Sequence, residues 1–368
     1  MIIREIELRD FRNYESLNLQ FHNKVNIFLG DNAQGKTNVI EAIYVSSLGK
    51  SFRTLQDSEM IRFGSEFAKI KVNAEKEDED ICVEVALTEK GKGIKVDGLK
   101  LKKMSELFEN IYTVVFSPED LKIVKEDPEK RRRFINTELC LISPSYYISL
   151  SSYKRVLKQR NAFLKDSKFD GGRVDKSIIE IWDEQISSYG AEITMKRKEF
   201  IEKLNIISAN LHKNITDGKE NLEIVYEPSV DIKENFAEQK EYFKKVLSEN
   251  ISNDMRSGTT GKGPHRDDIC IMINGTDIRK FGSQGQQRTA ALSLKLAEIK
   301  LIKEETGENA VLLLDDVMSE LDASRQNFLV NSLGDVQLFI TTTDLGEDVK
   351  KALPEGYTFH VEKGTVSR

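Results

Sequence analysis

Gly30-Asp31-Asn32-Ala33-Gln34-Gly35-Lys36-Thr37 matches the phosphate-loop pattern G-x-x-x-x-G-K-[ST] residue for residue. In that pattern the glycines let the backbone wrap closely, so that successive N–H groups and the following helix N-terminus point at bound phosphates. Lys36 is then placed to reach the β- and γ-phosphates, and Thr37 a Mg²⁺ ion. Lys24-Val25-Asn26-Ile27-Phe28-Leu29 reads as a buried strand entering the loop, and Asn38 to Val45 as a helix leaving it. At average composition the pattern would arise by chance in roughly 1% of chains this long. The flanking strand and helix make chance a poorer account still, and a nucleotide site is expected here.

Upstream, alternating apolar positions from Ile2 to Phe21 predict two strands around an Arg12-Asn13-Tyr14 turn. Downstream, Phe67–Ala74 and Ile81–Thr88 alternate again around Glu77-Asp78-Glu79-Asp80, and Asp97-Gly98 marks another turn, which gives an antiparallel β patch. Ile111–Phe116 reads as a buried central strand, followed by Ser117 as a helix cap and Pro118 at the first helical position. Asp127-Pro128 and Ser143-Pro144 each open a helix, and apolar residues from Ile178 to Leu211 recur at three- and four-residue steps along one long amphipathic helix. Beyond Gly258 a sheet pattern returns with Ile269–Ile273 and an Asn274-Gly275 turn. Val311–Asp316 and Val336–Thr341 read as buried strands.

Formal net charge is −6, which offers no general attraction for nucleic acid. Between Pro128 and Lys165, however, nine Lys/Arg face two Glu, a segment of +7 that leaves −13 for the rest of the chain. A DNA surface is expected from Arg131, Arg132, Arg133, Lys154, Arg155 and Lys158; a merely solvated helix face is the plain alternative. Cys82, Cys140 and Cys270 are odd in number and lack metal-ligand spacing, which suits a reducing compartment. No membrane span or leader pattern is evident, so a cytoplasmic protein is expected.

Four apolar residues ending in Asp315 make a Walker B pattern. Asp315 would hold Mg²⁺ through its water shell, and Asp316 would orient or deprotonate an attacking water. Ser283-Gln284-Gly285-Gln286-Gln287-Arg288 has two readings: a capping box joining Ser283 and Gln286, or a second anion cradle at a helix N-terminus.

This last stretch resembles the signature motif of ABC-type ATPases, and Asp315 to Asp322 resembles their Walker B and D-loop in series. Within that superfamily the chain is similar to the RecF family of recombination-mediator ATPases, related to SMC heads. Phe11-Arg12-Asn13-Tyr14, Asn32 to Asn38, Phe116 to Leu121, Gly263-Pro264-His265-Arg266-Asp267-Asp268, the signature and Leu314 to Val317 carry the likeness across the whole chain. It implies an α/β ABC-type P-loop ATPase head with an antiparallel β patch and an inserted, mainly helical domain. The core would comprise 1–126 with 265–368, and the insertion 127–264. It further implies ATP and Mg²⁺ as cofactors, with ATP held by Gly30 to Asn38, Arg12, Ser283, Gly285 and Gln286, and Mg²⁺ by Thr37 and Asp315. An ATP-driven homodimer is implied, in which each signature covers the other subunit's ATP. Double-stranded and gapped DNA, RecR, RecO and RecA are the implied partners.

The chain departs from the broader ABC pattern at three places. Asp316 stands for the usual catalytic Glu, Thr343 for the switch His, and no Q-loop glutamine is evident near Ser117 or Glu119. Poor alignment of the attacking water then predicts slow hydrolysis, suited to a switch, with Lys36, Asp316 and Thr343 as catalytic residues. The rival readings are a transporter-energising ATPase subunit, which needs an apolar groove where this chain is basic, and an SMC-like structural head, which needs a coiled-coil arm. His265 is expected to hold its own loop by local hydrogen bonds rather than to contact DNA or a partner.

Overall fold

The structure is a computed structural model that describes residues 1–77, 79–125, 127–169 and 176–368. Asp78, expected in the 77–80 turn, and Glu126, the expected end of the first core segment, lie outside the described residues. In chain order the elements begin with β1 (Ile2–Phe11), β2 (Tyr14–Gln20), β3 (Val25–Leu29), α1 (Lys36–Leu48), β4 (Phe67–Lys76), β5 (Glu79–Thr88), β6 (Gly91–Val96), β7 (Leu99–Lys100) and β8 (Thr113–Phe116). They continue with α2 (Pro128–Ile142), α3 (Pro144–Phe169), α4 (Lys176–Ile215), β9 (Leu222–Glu227), α5 (Phe236–Ser257), β10 (Asp268–Ile273), β11 (Thr276–Asp277) and α6 (Ile278–Phe281). The chain closes with α7 (Gln284–Thr306), β12 (Val311–Asp315), α8 (Ala323–Ser332), β13 (Leu338–Thr342), α9 (Glu347–Ala352), β14 (Gly356–Glu362) and β15 (Thr365–Ser367).

Two compact units result. The first comprises Met1–Ile123, Ile207–Glu220 and Ser283–Arg368; the second comprises Val124–Ile206 and Asn221–Gly282. The first holds two six-stranded sheets. One is antiparallel, in the order β2-β1-β4-β5-β6-β7, and the other runs β15-β14-β3-β13-β12-β8 with all neighbours parallel except β14–β15. The difference is legible in side-chain patterning. β4 alternates buried and exposed positions toward its single covered face, whereas every residue of β12 and β13 is buried, as parallel strands with both faces covered require. α1 packs against β4 and β5 of one sheet and β8, β12 and β13 of the other, which is why eleven of its thirteen residues are buried.

Three expectations need correction here. β8 is the edge strand of its sheet, not a central one; its four residues are buried because α1 and α7 cover it. Ser117 caps no helix. Its N–H and hydroxyl both donate to the Asp120 carboxylate, each at 2.8 Å, closing a single tight turn around residues 117–122. Finally, β10 does not rejoin the core sheet: it pairs with β9 and β11 in a separate three-stranded sheet of the second unit. Hence residues 268–282 group with the second unit, whereas the expected division at 264/265 assigned them to the core.

Around that small sheet the second unit is tied by buried arginines. Arg197 donates to Asp267 (2.8 Å), the Pro264 carbonyl (2.7 Å), the Tyr146 hydroxyl (3.0 Å) and Asn136 (2.9 Å). Arg160 donates to Asp183 and Asp254, each at 2.7 Å, and to Thr260 at 2.8 Å. His265 lies in the same loop. Its Nε2 faces the Thr260 carbonyl at 2.9 Å, so that nitrogen carries the proton, and Nδ1 accepts from the Tyr153 hydroxyl at 2.7 Å. Burial lowers the His265 pKa and raises that of Tyr153, which keeps the ring neutral and the phenol a donor.

Candidate nucleotide-binding site

The phosphate loop leaves β3 at Leu29 under tight backbone constraint. A Cβ on Gly30 would lie 2.3 Å from the Val361 carbonyl oxygen. Gly35 adopts φ +115° with a would-be Cβ 2.5 Å from Asn13 Nδ2, so neither position accommodates a side chain. Asn13 and Tyr14, from the β1–β2 turn, hold the loop from one side. Asn13 Nδ2 donates to the Gln34 carbonyl (2.9 Å), its Oδ1 accepts from Asn38 Nδ2 (2.8 Å), and the Tyr14 hydroxyl donates to the Gly35 carbonyl (3.0 Å). The β14–β15 turn holds it from the other, through Lys363 N–H to Gln34 Oε1 at 2.6 Å. Asp31, Asn32 and Ala33 remain exposed at its tip. Lys36 is buried, its ammonium donating to the Gly30 (2.6 Å) and Asp31 (2.9 Å) carbonyls.

β13 stands between β3 and β12, yet the two Walker elements meet. The Thr37 hydroxyl donates to Asp315 Oδ1 at 2.7 Å, and Thr341 at the end of β13 donates to the same oxygen at 2.9 Å. Burial raises the Asp315 pKa, while the two hydroxyl donors pull it back. This donor set fits Mg²⁺, which binds hard oxygens, keeps several waters and needs only one or two protein oxygens beside phosphate. Among the described residues no group of three or more His, Cys, Asp or Glu forms an all-protein ion cage. Asp316 follows in the left-handed region, φ 50°, with its N–H bonded to the Thr341 carbonyl at 3.1 Å. Aspartate tolerates this conformation better than most non-glycine residues, and here it turns the chain out of β12 into the following 3₁₀ turn. Thr343 is exposed and directly follows β13.

Arg12, expected at the nucleotide, is engaged otherwise. Its guanidinium forms a two-pronged pair with Glu41 of α1 (2.8 and 2.6 Å) and donates to the Glu59 carbonyl (2.6 Å). Glu41 is fully buried and also accepts from Ser51. Arg53, which the motif reading missed, approaches Glu41 at 3.4 Å, donates to Asn38 Oδ1 at 2.8 Å, and lowers the pKa of Asp315 electrostatically. A lone arginine in an ordinary stretch of sequence gives no local signal of such a place.

The signature forms the capping box in full. Ser283 Oγ accepts the Gln286 N–H (3.2 Å) and Gln286 Oε1 accepts the Ser283 N–H (3.0 Å). The D-loop helix is bound to it, because Arg325 of α8 donates to Thr289 Oγ1 (2.7 Å) and Arg288 to the Glu320 carbonyl (2.7 Å). Between them lies a cavity of about 360 Å³ bordered by Ser283, Gly285, Gln286, Lys219, Asp322 and Arg325. Its walls come from the end of α4, α7 and α8, not from the phosphate loop.

The basic cluster divides. Arg131 is a correction: it is 4% exposed and pairs two-pronged with Asp268 (2.7 and 2.9 Å), so it offers no surface charge. Arg132 is half-buried, donating to the Asp267 carbonyl at 2.8 Å. Arg133, Lys154, Arg155 and Lys158 are exposed.

Comparison with known proteins adds to this geometry. The family described as "RecF/RecN/SMC N terminal domain" matches residues 2–363. The DNA replication and repair protein RecF of Alkaliphilus oremlandii is 49% identical over 370 residues, covering 100% of both chains. That of Agathobacter rectalis is 47% identical over 367 residues, covering 100% of this chain and 99% of the other. A solved structure described as that of the recombination mediator protein RecF-ATP in the RecFOR pathway superposes with TM-score 0.91 at 38% identity, covering 100% and 97% of the two chains. The chain belongs to the RecF family. A more distant likeness, TM-score 0.56 at 15% identity to the Smc head of Pyrococcus furiosus over 100% and 95% of the chains, shows that the fold is shared with that head. No helix among the described residues is long and apolar enough to cross a membrane.

Proposed function

We propose that this protein is a cytoplasmic, ATP-gated DNA-binding clamp of recombinational repair. The 2.7 Å hydrogen bond from Thr37 to Asp315 carries the reading, because it joins the phosphate loop to the acidic strand end as a Mg²⁺·ATP site requires. The phosphate loop and Lys36 bind the triphosphate, Thr37 and Asp315 hold Mg²⁺, and bound Mg²⁺ offsets phosphate charge. Asp316 orients the attacking water and accepts its proton; Thr343 completes that end of the site. Asp316 is one methylene shorter than glutamate, which makes turnover slow and suits a switch.

The signature cavity draws nothing from its own phosphate loop, which supports a two-fold homodimer in which Ser283, Gly285 and Gln286 close over the partner subunit's ATP. The dimer grips double-stranded DNA and gap edges, with Lys154, Arg155, Lys158 and Arg133 as the surface charges, and hands over to RecR, RecO and RecA. Arg12 takes part only if it leaves Glu41. The inserted helices, within the expected insertion 127–264, bear the DNA face.

Ser283→Arg tests this. If Ser283 only caps α7, the change costs about 1 kcal/mol and leaves ATP-driven assembly intact. On the proposed reading, monomer ATP binding survives while dimerisation and hydrolysis vanish. Mixing the variant with Lys36→Met then restores partial hydrolysis, because a mixed dimer has one site with both defects and one with neither. Normal ATP-dependent mass of Ser283→Arg in solution sinks the shared site.

A further inference from the structure

Behind the signature runs a chain of side chains that no motif contains. Glu220, in the turn after α4, accepts Gln286 Nε2 on Oε1 at 3.0 Å, and faces His212 Nε2 with Oε2 at 3.0 Å. His212 Nδ1 in turn lies 3.1 Å from Ser293 Oγ on α7, and His212 is fully buried. Each orientation follows from what the partner can do. A carboxylate only accepts, so Gln286 must turn its NH₂ toward Glu220, and this aims Oε1 at the Ser283 N–H, which only donates. The same argument puts a proton on His212 Nε2. Burial lowers the ring's pKa, which favours the neutral form, and Nδ1 stands against Ser293 Oγ, whose hydroxyl donates to the Thr289 carbonyl at 2.8 Å.

We propose that Glu220 is a positioning residue for the signature: it locks the Gln286 amide so that Ser283 Oγ is held as an acceptor of the Gln286 N–H, with its own proton directed away to a phosphate oxygen. The proposal deepens, and rests on, the reading of Ser283 as a contact to the partner subunit's ATP. Without Glu220 the Gln286 amide can flip, presenting NH₂ to the Ser283 N–H, two donors face to face. The capping box opens and the hydroxyl loses its fixed direction. His212 gives the lock its stiffness, since it holds the second Glu220 oxygen from the last turn of α4.

A double-mutant cycle tests the idea. Glu220→Ala retains ATP affinity at the phosphate loop, measured on the monomer by fluorescent nucleotide titration, and weakens ATP-dependent dimerisation about tenfold, as expected for one charge-assisted hydrogen bond. Glu220→Gln, which still offers Gln286 an acceptor, recovers most of that loss. In a Gln286→Ala background, Glu220→Ala adds no further defect, because its path runs through Gln286. A defect in ATP binding by Glu220→Ala, wild-type dimerisation, or full additivity with Gln286→Ala would each overturn the proposal. Ser283→Arg measured beside them separates the two levels: if it too dimerises normally, the shared-site reading has failed, and if it alone is defective, only the role of Glu220 has.

Discussion

Replacing Asp315 by Asn should invert the stability order of variant and wild type between the ligand-free and Mg²⁺·ATP states. Asp315 is 9% exposed, next in sequence to a second carboxylate, and burial raises its pKa despite hydrogen bonds from Thr37 and Thr341. Its charge therefore burdens the free protein. Asn is isosteric, and its carbonyl oxygen accepts the same two hydroxyl protons, so the change removes charge without opening a cavity. A gain on the order of 1 kcal/mol is the usual scale for relieving such a functional site. For a unit of this size that is about 2–4 °C in Tm. The sign with pH follows from the raised pKa. The native state binds that proton more tightly than the unfolded chain, so the cost is complete above the folded pKa and fades as pH falls through it. The advantage of Asn is accordingly greatest at neutral pH and closes toward the ordinary carboxylate value of 3.8. With Mg²⁺·ATP at a hundredfold excess over its Kd, wild type gains about 2.7 kcal/mol by linkage, and the variant, short of one Mg²⁺ ligand, loses most of it. Scanning calorimetry in chelator and in Mg²⁺·ATP reads both. A lower ligand-free Tm for the variant, or equal stabilisation by Mg²⁺·ATP, refutes the reasoning.

Asp316→Asn should leave ATP affinity within twofold of wild type and cut turnover about 100-fold or more, the scale of a lost general base; phosphate release at wild-type rate removes Asp316 from that role. Neutralising Lys154, Arg155 and Lys158 together should flatten the dependence of log K on log salt for duplex DNA by about 2.7, at about 0.9 per phosphate contact. An unchanged slope in the folded variant sends the DNA surface elsewhere. Arg160→Met strands Asp183, whose pKa burial already raises, beside the buried Asp254, and should destabilise the second unit by about 3–5 kcal/mol. The single tryptophan, Trp182 in α4, reports urea unfolding of that unit, and an unshifted midpoint contradicts the assignment.

The legible part of the molecule is the part written locally. Eight consecutive residues specify the phosphate loop, because its task is met by one turn of backbone between a strand and a helix. Alternation in β4 and β5 and the unbroken apolar run of β12 likewise report which faces are covered. The strand β8 shows the limit: four buried residues state that both faces are covered, but not that no strand lies beyond it. Arg12, Glu41 and Arg53 show another. Each belongs to a different stretch, and their meeting beside Asn38 depends on how the β1–β2 turn, α1 and the segment after it fold together. The Ser283 capping box, by contrast, was readable because both its members lie within one helical turn.

The basic segment illustrates why charge counts need partners before they mean anything. Its +7 is a property of the sequence, but buried Arg131 finds the half-buried Asp268 and buried Arg160 finds the buried Asp183 and Asp254, at separations no local pattern reveals. Those arginines stabilise the fold and contribute nothing to an external field, since each faces opposite charge at 2.7 Å. What remains at the surface is better placed than the count suggested. Lys154, Lys158 and Lys165 are exposed and spaced by four and seven residues on α3, so they fall on one face of the helix. A stripe of that spacing climbs about 1.5 Å per residue, roughly 16 Å in all. Phosphates along one DNA strand lie 3.4 Å apart along the axis, so the stripe spans several of them. Fewer cations, aligned, thus offer a narrower test of the proposed DNA face than the nine that the sequence displayed.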